Sequence, residues 1–559
     1  MVNQQSQQAQ SSSSSGTGGR RRRWRLAARV YVWVVSALAV AAVAVLRFTD
    51  VTADHAAANI GVLIAAFVAL VTLILWFAFF SGYSRWVRML PLLGGLAFCG
   101  AFAALFRIEH VSGELVPTFA WRFSRSPDEL LEKPKLPDAT QRVPVRPTPA
   151  VDLLTRTADD FPQFLGPTRS ASIDAVKLAR DWAASPPPLV WRQKIGAGWS
   201  GFAVVSGYAL TMEQRGELEM VTCYEVRSGR LQWFYSIPVR YQSTLAGVGP
   251  RATPTIDEGL VYTLGASGLL LCLDGATGRP VWQKDLQEEY AVTEEDEEAE
   301  VPYGRANSPL VVGELLIVAA GGPQRRGWVS LVAYHKKTGQ KVWEGGQRQI
   351  SYSSPVLAAL GGVQQILIVN QDYASGHDVR TGKVLWEYPW PGKSATDANV
   401  SQAVAVPPDR VFLSKGYGRG AALVQLVPKD DGTLDAEELW RNSRVMRTKF
   451  TNVALREGYV YGLSDGILEC VELETGRSAW KGGRYGHGQL LRVGELLLVL
   501  AESGKVSLVE ATPDRRNNVL GEFQALEGKT WNTIALYGPY LLVRNAEEAA
   551  CYKLPLQQP

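Results

Sequence analysis

The feature that most constrains this fold is a hexapeptide of the form T/S-G-x-x-x-W that recurs through the C-terminal two-thirds of the chain. Five copies and one degenerate copy have this form: SGRLQW (228–233), TGRPVW (277–282), TGQKVW (338–343), TGKVLW (381–386), TGRSAW (475–480) and DGTLDAEELW (431–440). Apolar strand patterns separated by turns precede each copy. Counting an earlier Trp191, successive Trp residues lie 40 to 61 residues apart. This spacing is typical of repeat units that contain four short strands each.

A second recurring position predicts the number of units. Eight segments stand directly before the first strand of a unit: Trp199-Ser200-Gly201, Ala252-Thr253-Pro254, Asn307-Ser308-Pro309, Ser353-Ser354-Pro355, Val400-Ser401-Gln402, Phe450-Thr451-Asn452, His487-Gly488-Gln489 and Trp531-Asn532-Thr533. The last unit ends without its Trp strand, whereas a lone strand around Trp191 precedes the first unit. Joining the two completes an eighth sheet and leaves no free edge. The sequence therefore predicts an all-β, eight-bladed β-propeller over residues 186–556.

The blades resemble the pyrroloquinoline-quinone-type (PQQ-like) repeat that quinoprotein dehydrogenases share with BamB-like outer-membrane assembly propellers. The segment DFPQFLGPTRSASI (160–173) resembles the D-W-P-Q-x-x-G-P-x-R opening of such domains in membrane-anchored bacterial proteins. The runs GPRATPT, SYSSPV, KGGRYGHGQLL and EGKTWN resemble a subfamily of unknown activity. The resemblance implies the propeller fold and leaves the activity open.

Three uncharged apolar stretches in the N-terminal part predict transmembrane helices over 30–46, 60–80 and 89–106. We expect residues 1–29 to be a disordered cytoplasmic tail, because its Ser-rich, Gln-rich start has nothing to bury and six Arg residues follow. An alternative is that the first apolar stretch is a cleaved signal peptide. Either way, the propeller is expected on the extracytoplasmic side of the inner membrane. Between them lies a Pro-rich linker and lead-in segment, 107–185.

The charge of the chain argues against nucleic-acid binding and leaves two hypotheses for the function. The six Arg residues before the first apolar stretch exceed the net charge of +4, so nothing favours nucleic-acid binding by the rest of the chain. The favoured hypothesis is a non-catalytic binding or scaffold module for a protein, an envelope component or a small anion. The alternative is a PQQ-dependent oxidoreductase.

A group of basic and aromatic residues near the first-strand positions forms the candidate ligand site. Because the innermost strands of a propeller begin at one end of its channel, these side chains are expected to converge there. The group comprises Arg251, Arg305, Tyr352, Lys449, Arg484, Tyr485, His487, Lys529, Trp199 and Trp531. The alternative is that the cations pair with carboxylates and bond backbone carbonyls between blades.

The oxidoreductase alternative needs PQQ, calcium and a carboxylate base. Only Asp397, Asn399 and Glu213 are candidates near the axis, and we expect no cofactor or metal. The quinoprotein resemblance implies an adjacent Cys pair, which this sequence lacks. The acidic run EEDEEAE (294–300) is interpreted as a solvated loop. Four cysteines occupy one repeat position and are interpreted as buried strand residues: Cys223, Cys272, Cys470 and Cys551.

Overall fold

The computed structural model describes residues 15–49, 55–134 and 151–557, in two compact units that divide between Ser124 and Arg125. The first unit contains helices Ser15–Phe48, His55–Phe80 and Arg85–Leu105, followed by strands Phe106–Val111 and Pro117–Trp121. Each helix includes a segment long and apolar enough to cross a membrane. The three predicted spans therefore exist as helices.

Two predictions for this region need correction. The part of the predicted disordered tail from Ser15 onward is helical, because the helix of the first span extends through its Arg cluster, and Arg is a good helix former. Residues 1–14 lie outside the described residues. The start of the predicted extended linker is instead an antiparallel hairpin, in which Phe106 lies opposite Trp121. Residues 135–150 of the linker also lie outside the described residues.

The second unit is an eight-bladed β-propeller, as predicted, with each blade an antiparallel sheet. The strands of blades one to four are Ala203–Val205, Tyr208–Arg215, Leu218–Glu225, Leu231–Ile237; Thr255–Asp257, Leu260–Leu264, Leu269–Asp274, Pro280–Asp285; Leu310–Val312, Leu315–Gly321, Val329–His335, Lys341–Gly345; and Val356–Leu360, Val363–Val369, Tyr373–Asp378, Val384–Pro389. Those of blades five to seven are Val404–Val406, Arg410–Lys415, Gly420–Pro428, Leu434–Asn442; Ala454–Arg456, Tyr459–Ser464, Ile467–Glu472, Ser478–Arg484; and Gln489–Val493, Leu496–Leu500, Lys505–Glu510, Val519–Gln524. Blade eight combines Ala535–Tyr537, Tyr540–Arg544 and Glu548–Lys553 with Leu189–Lys194. Short elements between strands are Gln242–Ser243, Gly247–Val248, Leu286–Tyr290, Glu294–Glu300 and Gln324–Arg326.

The two ends of the propeller chain close the ring. Strand Leu189–Lys194 pairs antiparallel with Glu548–Lys553, and Trp191 lies opposite Cys551. The other three predicted strand cysteines occupy the same place, each opposite its blade's Trp, and all four are buried and unoxidised. The predicted closure is therefore confirmed.

The repeat links each blade to the next. The indole Nε1 of Trp233 in blade one donates to the carbonyl of Gly275 at the turn of blade two, at 2.9 Å. At that turn Gly278 has φ of +71°, and a Cβ there would meet the Trp233 ring at less than van der Waals distance. Equivalent indole bonds are made by Trp191, Trp282, Trp343, Trp440 and Trp480. The Trp of each of these blades therefore contacts the turn of the next blade, and the two repeat elements together form the link between neighbouring blades.

The contact between Trp and turn is altered where the repeat is incomplete, at blades five and seven. Blade five has the degenerate turn, and Trp386 of blade four instead donates to Gln365 within its own blade, at 2.6 Å. In blade seven Gly521 occupies the position of the repeat Trp, opposite Leu508. The buried Trp182 of the lead-in segment packs directly over Gly521. A residue from outside the repeat therefore fills the space of the missing indole.

The lead-in segment belongs to the propeller, so the predicted boundary at residue 186 lies too late in the chain. Strand Ser172–Ile173 adds a fifth, parallel strand to the inner edge of blade seven. Arg169 is buried inside the channel, where its guanidinium donates to the carbonyls of Ser308, Pro309 and Pro355. Because these carbonyls belong to inner segments of different blades, one side chain ties several blades together and fills the channel.

Candidate functional site

The channel has two ends that differ in chemistry. The first strands of neighbouring blades lie side by side around the axis and run in one direction. Residues just before these strands therefore lie at one end, which we call the mouth. Arg169 contacts inner-segment residues that follow the mouth residues in the chain, and a cavity beside it is lined by first-strand residues such as Val356 and Val404. The lead-in segment therefore fills the channel from the end opposite the mouth.

Below the mouth, hydroxyl groups join the blades. The backbone N–H of Gly201 donates to Thr253 Oγ1 at 3.1 Å, that of Thr253 to Ser308 Oγ at 3.0 Å, and that of Ser308 to Ser354 Oγ at 2.9 Å. Each bond crosses from one blade to the next. The Ser/Thr residues that accept these bonds therefore serve the scaffold, and the residue two positions before each of them lies toward the mouth.

Four residues at this earlier position, from consecutive blades, form what we call the aromatic arc: Phe450, His487, Trp531 and Trp199. The ring centroids of Phe450 and His487 are 5.4 Å apart, those of Phe450 and Trp531 4.8 Å, and those of Trp531 and Trp199 5.0 Å. Such separations are favourable for aromatic pairs. His487 is buried, whereas the other three rings are partly exposed. The arc covers blades six, seven, eight and one.

Lys529 lies over the arc. Its Nζ is 4.1 Å from the ring centroid of Trp531 and 4.9 Å from that of Trp199, which places the ammonium in cation–π contact with both indoles. Burial lowers the pKa of Lys529 to about 8, and the repulsion of Arg251 contributes, while Glu502 opposes the shift. Glu502 also accepts from Trp531 Nε1 at 2.9 Å and from the His487 backbone N–H at 3.1 Å. The arc therefore combines aromatic faces, a cation and a carboxylate.

The part of the mouth next to Trp199 is built around Arg251, and both side chains donate to the Ala246 carbonyl. Its guanidinium lies 4.4 Å from the ring centroid of Tyr241 and donates to the Tyr303 carbonyl at 2.7 Å. Tyr303 in turn contacts Tyr352, with ring centroids 5.7 Å apart. Burial lowers the pKa of Arg251 to about 10, against the opposing charge of the buried Glu219. For Glu219 itself, burial raises the pKa to about 7, while the Ala266 backbone N–H and Arg251 oppose the rise.

The remaining predicted site residues are distributed differently. Arg305 is buried, ion-paired with Glu297 and bonded to the Ala320 carbonyl, so its guanidinium serves internal structure. Tyr485 is buried between blades six and seven, where its hydroxyl donates to Asn517. Lys449 is buried with its Nζ 5.5 Å from the Tyr417 ring centroid. Arg484 ends the outermost strand of blade six and is exposed.

The acidic run that contains Glu297, the partner of Arg305, differs from its prediction. The acidic run expected as a solvated loop is the helix Glu294–Glu300, which begins with a capping box made by Thr293 and Asp296. Acidic residues favour the N-terminus of a helix, and this run concentrates them there. Glu297 then faces Arg305, and Asp296 pairs with Arg325.

Sequence reasoning missed several residues of the mouth. Phe450 stands in a recurring first-strand segment, so its position was a sufficient signal. Glu502 follows the second strand of blade seven, and Tyr241 and Tyr303 lie in segments between blades. No repeat position marks these three, because only the folded connections bring them to the mouth.

The carboxylate and amide groups considered for a calcium–quinone site do not gather in one place. Glu213 is buried and accepts from the Tyr224 hydroxyl and from Arg215. Asp397 pairs with Lys415 at 2.8 Å and with Arg419 at 3.2 Å. Asn399 donates to backbone carbonyls, including that of Asn370 at 2.7 Å. Within 15–49, 55–134 and 151–557, no three His, Cys, Asp or Glu side chains are grouped to hold a metal ion. These residues therefore do not fit the ligand set that such a site requires.

Comparison with known proteins agrees with this architecture. The family model described as outer membrane protein assembly factor BamB matches residues 217–482. The chain is similar to the outer membrane protein assembly factor BamB of Shewanella oneidensis, with 25% identity over 323 residues that cover 54% of this chain and 74% of that protein.

Solved structures show the same fold at low identity. A europium-containing methanol dehydrogenase matches with a TM-score of 0.52 and 12% identity, over 70% of this chain and 90% of that one. Quinohemoprotein alcohol dehydrogenase from Comamonas testosteroni matches with a TM-score of 0.51 and 13% identity, over 73% of this chain and 82% of that one. Together with the Trp-turn contacts and the eight blades, these similarities show that the propeller of this chain resembles those built from BamB-like, PQQ-type repeats.

Proposed function

We propose that the protein is a membrane-anchored binding module whose propeller lies on the extracytoplasmic side and holds an acidic segment of an envelope protein at the mouth. The observation that carries the proposal is the aromatic arc with Lys529 over two of its indoles. Three partly exposed rings and a cation from separate blades offer apolar contact area and positive charge in one place. Aromatic residues are enriched at protein interfaces.

The surroundings of the arc support this choice of ligand. Arg251, beside Trp199, adds a second cation, and its repulsion is one reason that the pKa of Lys529 is lowered. A carboxylate placed between them would stabilise both charged forms. An envelope-protein partner is chosen because the relative in Shewanella oneidensis is an outer membrane protein assembly factor. The three apolar helices supply the anchor.

Site-specific photocrosslinking in intact cells tests the proposal. Replacing Phe450 with the photoreactive benzoylphenylalanine keeps an aromatic ring in the arc. We expect an adduct with an acidic envelope protein, and a several-fold lower yield when Lys529→Gln is added, because one of the two cations is lost. The matched probe replaces Val281, which is exposed on the outer strand of blade two and distant in topology from the mouth.

The controls separate charge at the mouth from charge in general. Lys505→Gln removes an ion-paired lysine from the third strand of blade seven and should leave the adduct yield unchanged. Arg484→Ala removes an exposed cation from the outermost strand of blade six and should weaken the adduct less than Lys529→Gln. Equal adducts at 281 and 450, or a yield unaffected by Lys529→Gln, would contradict the proposal. If a polysaccharide or a small anion, rather than a protein, blocks crosslinking at position 450, that molecule is the ligand of the mouth and the protein partner is refuted.

The oxidoreductase alternative is tested separately. Titrating the purified protein with PQQ and calcium should give neither a protein-bound quinone absorption band nor reduction of an electron-accepting dye with alcohols. A bound, redox-active quinone would show that the mouth serves catalysis, and it would overturn the assignment of a binding module.

A further inference from the structure

We propose that the hairpin after the third helix lies in the headgroup layer of the lipid bilayer and holds the end of that helix at the membrane surface. Strand Phe106–Val111 begins at the residue that follows helix Arg85–Leu105, and strand Pro117–Trp121 returns beside it. The inference rests on the helices crossing a membrane, as proposed above. The partner is lipid rather than another protein.

The hairpin has one apolar face. Phe106 lies opposite Trp121 and Ile108 opposite Phe119, whereas Arg107 points to the other side, because side chains alternate along a strand. Ile108, Phe119 and Trp121 are between 45% and 47% exposed within this unit, although all three are large and apolar. A face of this kind needs a partner other than water.

The apolar face continues the surface of the third helix. The rings of Phe98, Phe102 and Phe106 contact one another in sequence, and Phe119 packs edge-on against Phe102 with centroids 5.1 Å apart. No residue of this helix is buried in the protein, so its apolar surface is the one that lipid would cover. The aromatic surface of the hairpin is therefore continuous with a lipid-facing surface.

The position of the hairpin matches the depth of the bilayer surface. The third helix has 21 residues, and at 1.5 Å per residue it is about 32 Å long, close to the hydrocarbon thickness. The hairpin turn reaches the start of the second helix, where Asn59 Nδ2 donates to the Glu114 carbonyl at 2.9 Å. The hairpin thus lies across the ends of two helices, where aromatic residues such as Trp121 are enriched in membrane proteins.

Arginines complete the interfacial composition. Arg122 donates to the carbonyls of Ala103 and Phe106 at the helix end, at 2.7 and 3.4 Å, and Arg107 donates to the Ser124 carbonyl at 3.0 Å. Both side chains lie beside the aromatic residues, at the level where lipid phosphates would be. An isolated two-stranded hairpin is marginally stable in water, so a bilayer surface also explains how this one remains folded.

Depth-dependent fluorescence quenching tests the inference on the full-length protein. The protein is reconstituted in nanodiscs of phosphatidylcholine and phosphatidylglycerol. Cys99→Ser removes the exposed thiol, and the four propeller cysteines are buried and so do not take up the label. An NBD label is placed at Ile108→Cys or, in a matched variant, at Ala120→Cys, which lies opposite Arg107 on the other face of the hairpin. We expect lipids with a spin label near the headgroup to quench the label at 108 at least twofold more than that at 120, and lipids labelled deep in the chain to quench it less.

Two further positions separate the possible outcomes. A label at Leu70→Cys, within the second helix, should be quenched by the deep spin label, which shows that the helices are inserted even if the hairpin is not. Phe123→Cys, 72% exposed and beyond the strands, repeats the measurement without altering strand pairing. A label at 108 and 123 that soluble iodide quenches and lipid does not would overturn the inference. Shielding from both quenchers would also overturn it, because a protein surface would then cover the face.

Discussion

Trp182 provides a quantitative test of how the repeat is completed in blade seven. This side chain is 3% exposed, packs against Phe523 with ring centroids 5.8 Å apart and occupies the space over Gly521. Among the described residues none accepts a hydrogen bond from its Nε1, so its contribution is packing alone. Replacing a buried Trp by a minimal side chain costs about 3–5 kcal/mol. Trp182→Gly should lower the free energy of unfolding by that amount, and Trp182→Phe by roughly half.

We further expect the effect of Gly521→Trp on the free energy of unfolding to change sign when Trp182 is removed. A Cβ added at Gly521 would lie 2.6 Å from Trp182 Cβ, so Gly521→Trp alone should destabilise the protein by about 1–3 kcal/mol through overpacking. In the Trp182→Gly background the same change restores the repeat indole opposite Leu508 and should stabilise. Urea unfolding in detergent, followed by near-ultraviolet circular dichroism, is measured for the unchanged protein, the two single variants and the double variant, which together form a double-mutant cycle. If Gly521→Trp has the same sign in both backgrounds, Trp182 does not replace the repeat Trp.

The remaining predictions concern closure, sidedness and pH. Deleting residues 186–195 removes the strand that completes blade eight, so the protein should aggregate or unfold at a much lower temperature; a monomer with unchanged melting would refute the closure argument. Protease added to intact spheroplasts should degrade the propeller, whereas complete protection with a sealed membrane would place it inside. Because burial raises the pKa of Glu219 from 4.5 to about 7, the folded state binds more protons than the unfolded state between these values. Stability should therefore fall as the pH rises from 5 to 7, by on the order of 3 kcal/mol at most, and Glu219→Gln should flatten this dependence in urea titrations.

The blades could be predicted from the sequence because each Trp and each Thr-Gly turn has a local pattern and a fixed partner. Counting segments such as Ala252-Thr253-Pro254 gave eight because each marks the entry to one inner strand. Trp182 and Arg169 could not be predicted in the same way. Both lie outside the repeat, and the blade residues that they contact are more than 80 residues away in sequence, on elements that only the closed ring brings near.

The candidate site was less predictable, for a related reason. A basic residue before an inner strand is compatible with a ligand site and with an internal ion pair. The structure assigns Arg305 to an ion pair with Glu297, which lies in a helix between blades two and three. Lys529 instead lies on the indoles of Trp199 and Trp531. Which outcome occurs depends on connections whose conformation no repeat pattern specifies.

The aromatic arc is not a requirement of the fold, and this distinction is what makes it a candidate for function. The position that carries Trp199 and Phe450 in blades one and six carries Ala306 and Val400 in blades three and five, on the same scaffold. The bonds between blades are made two residues later, at Gly201, Thr253 and Ser308, so the arc position can vary without breaking them. Phe450, Trp531 and Trp199 are partly exposed, so they add apolar surface at the mouth that the bonds between blades do not require. Their grouping on consecutive blades, beneath a single lysine, therefore points to contacts with a partner rather than to stability of the ring.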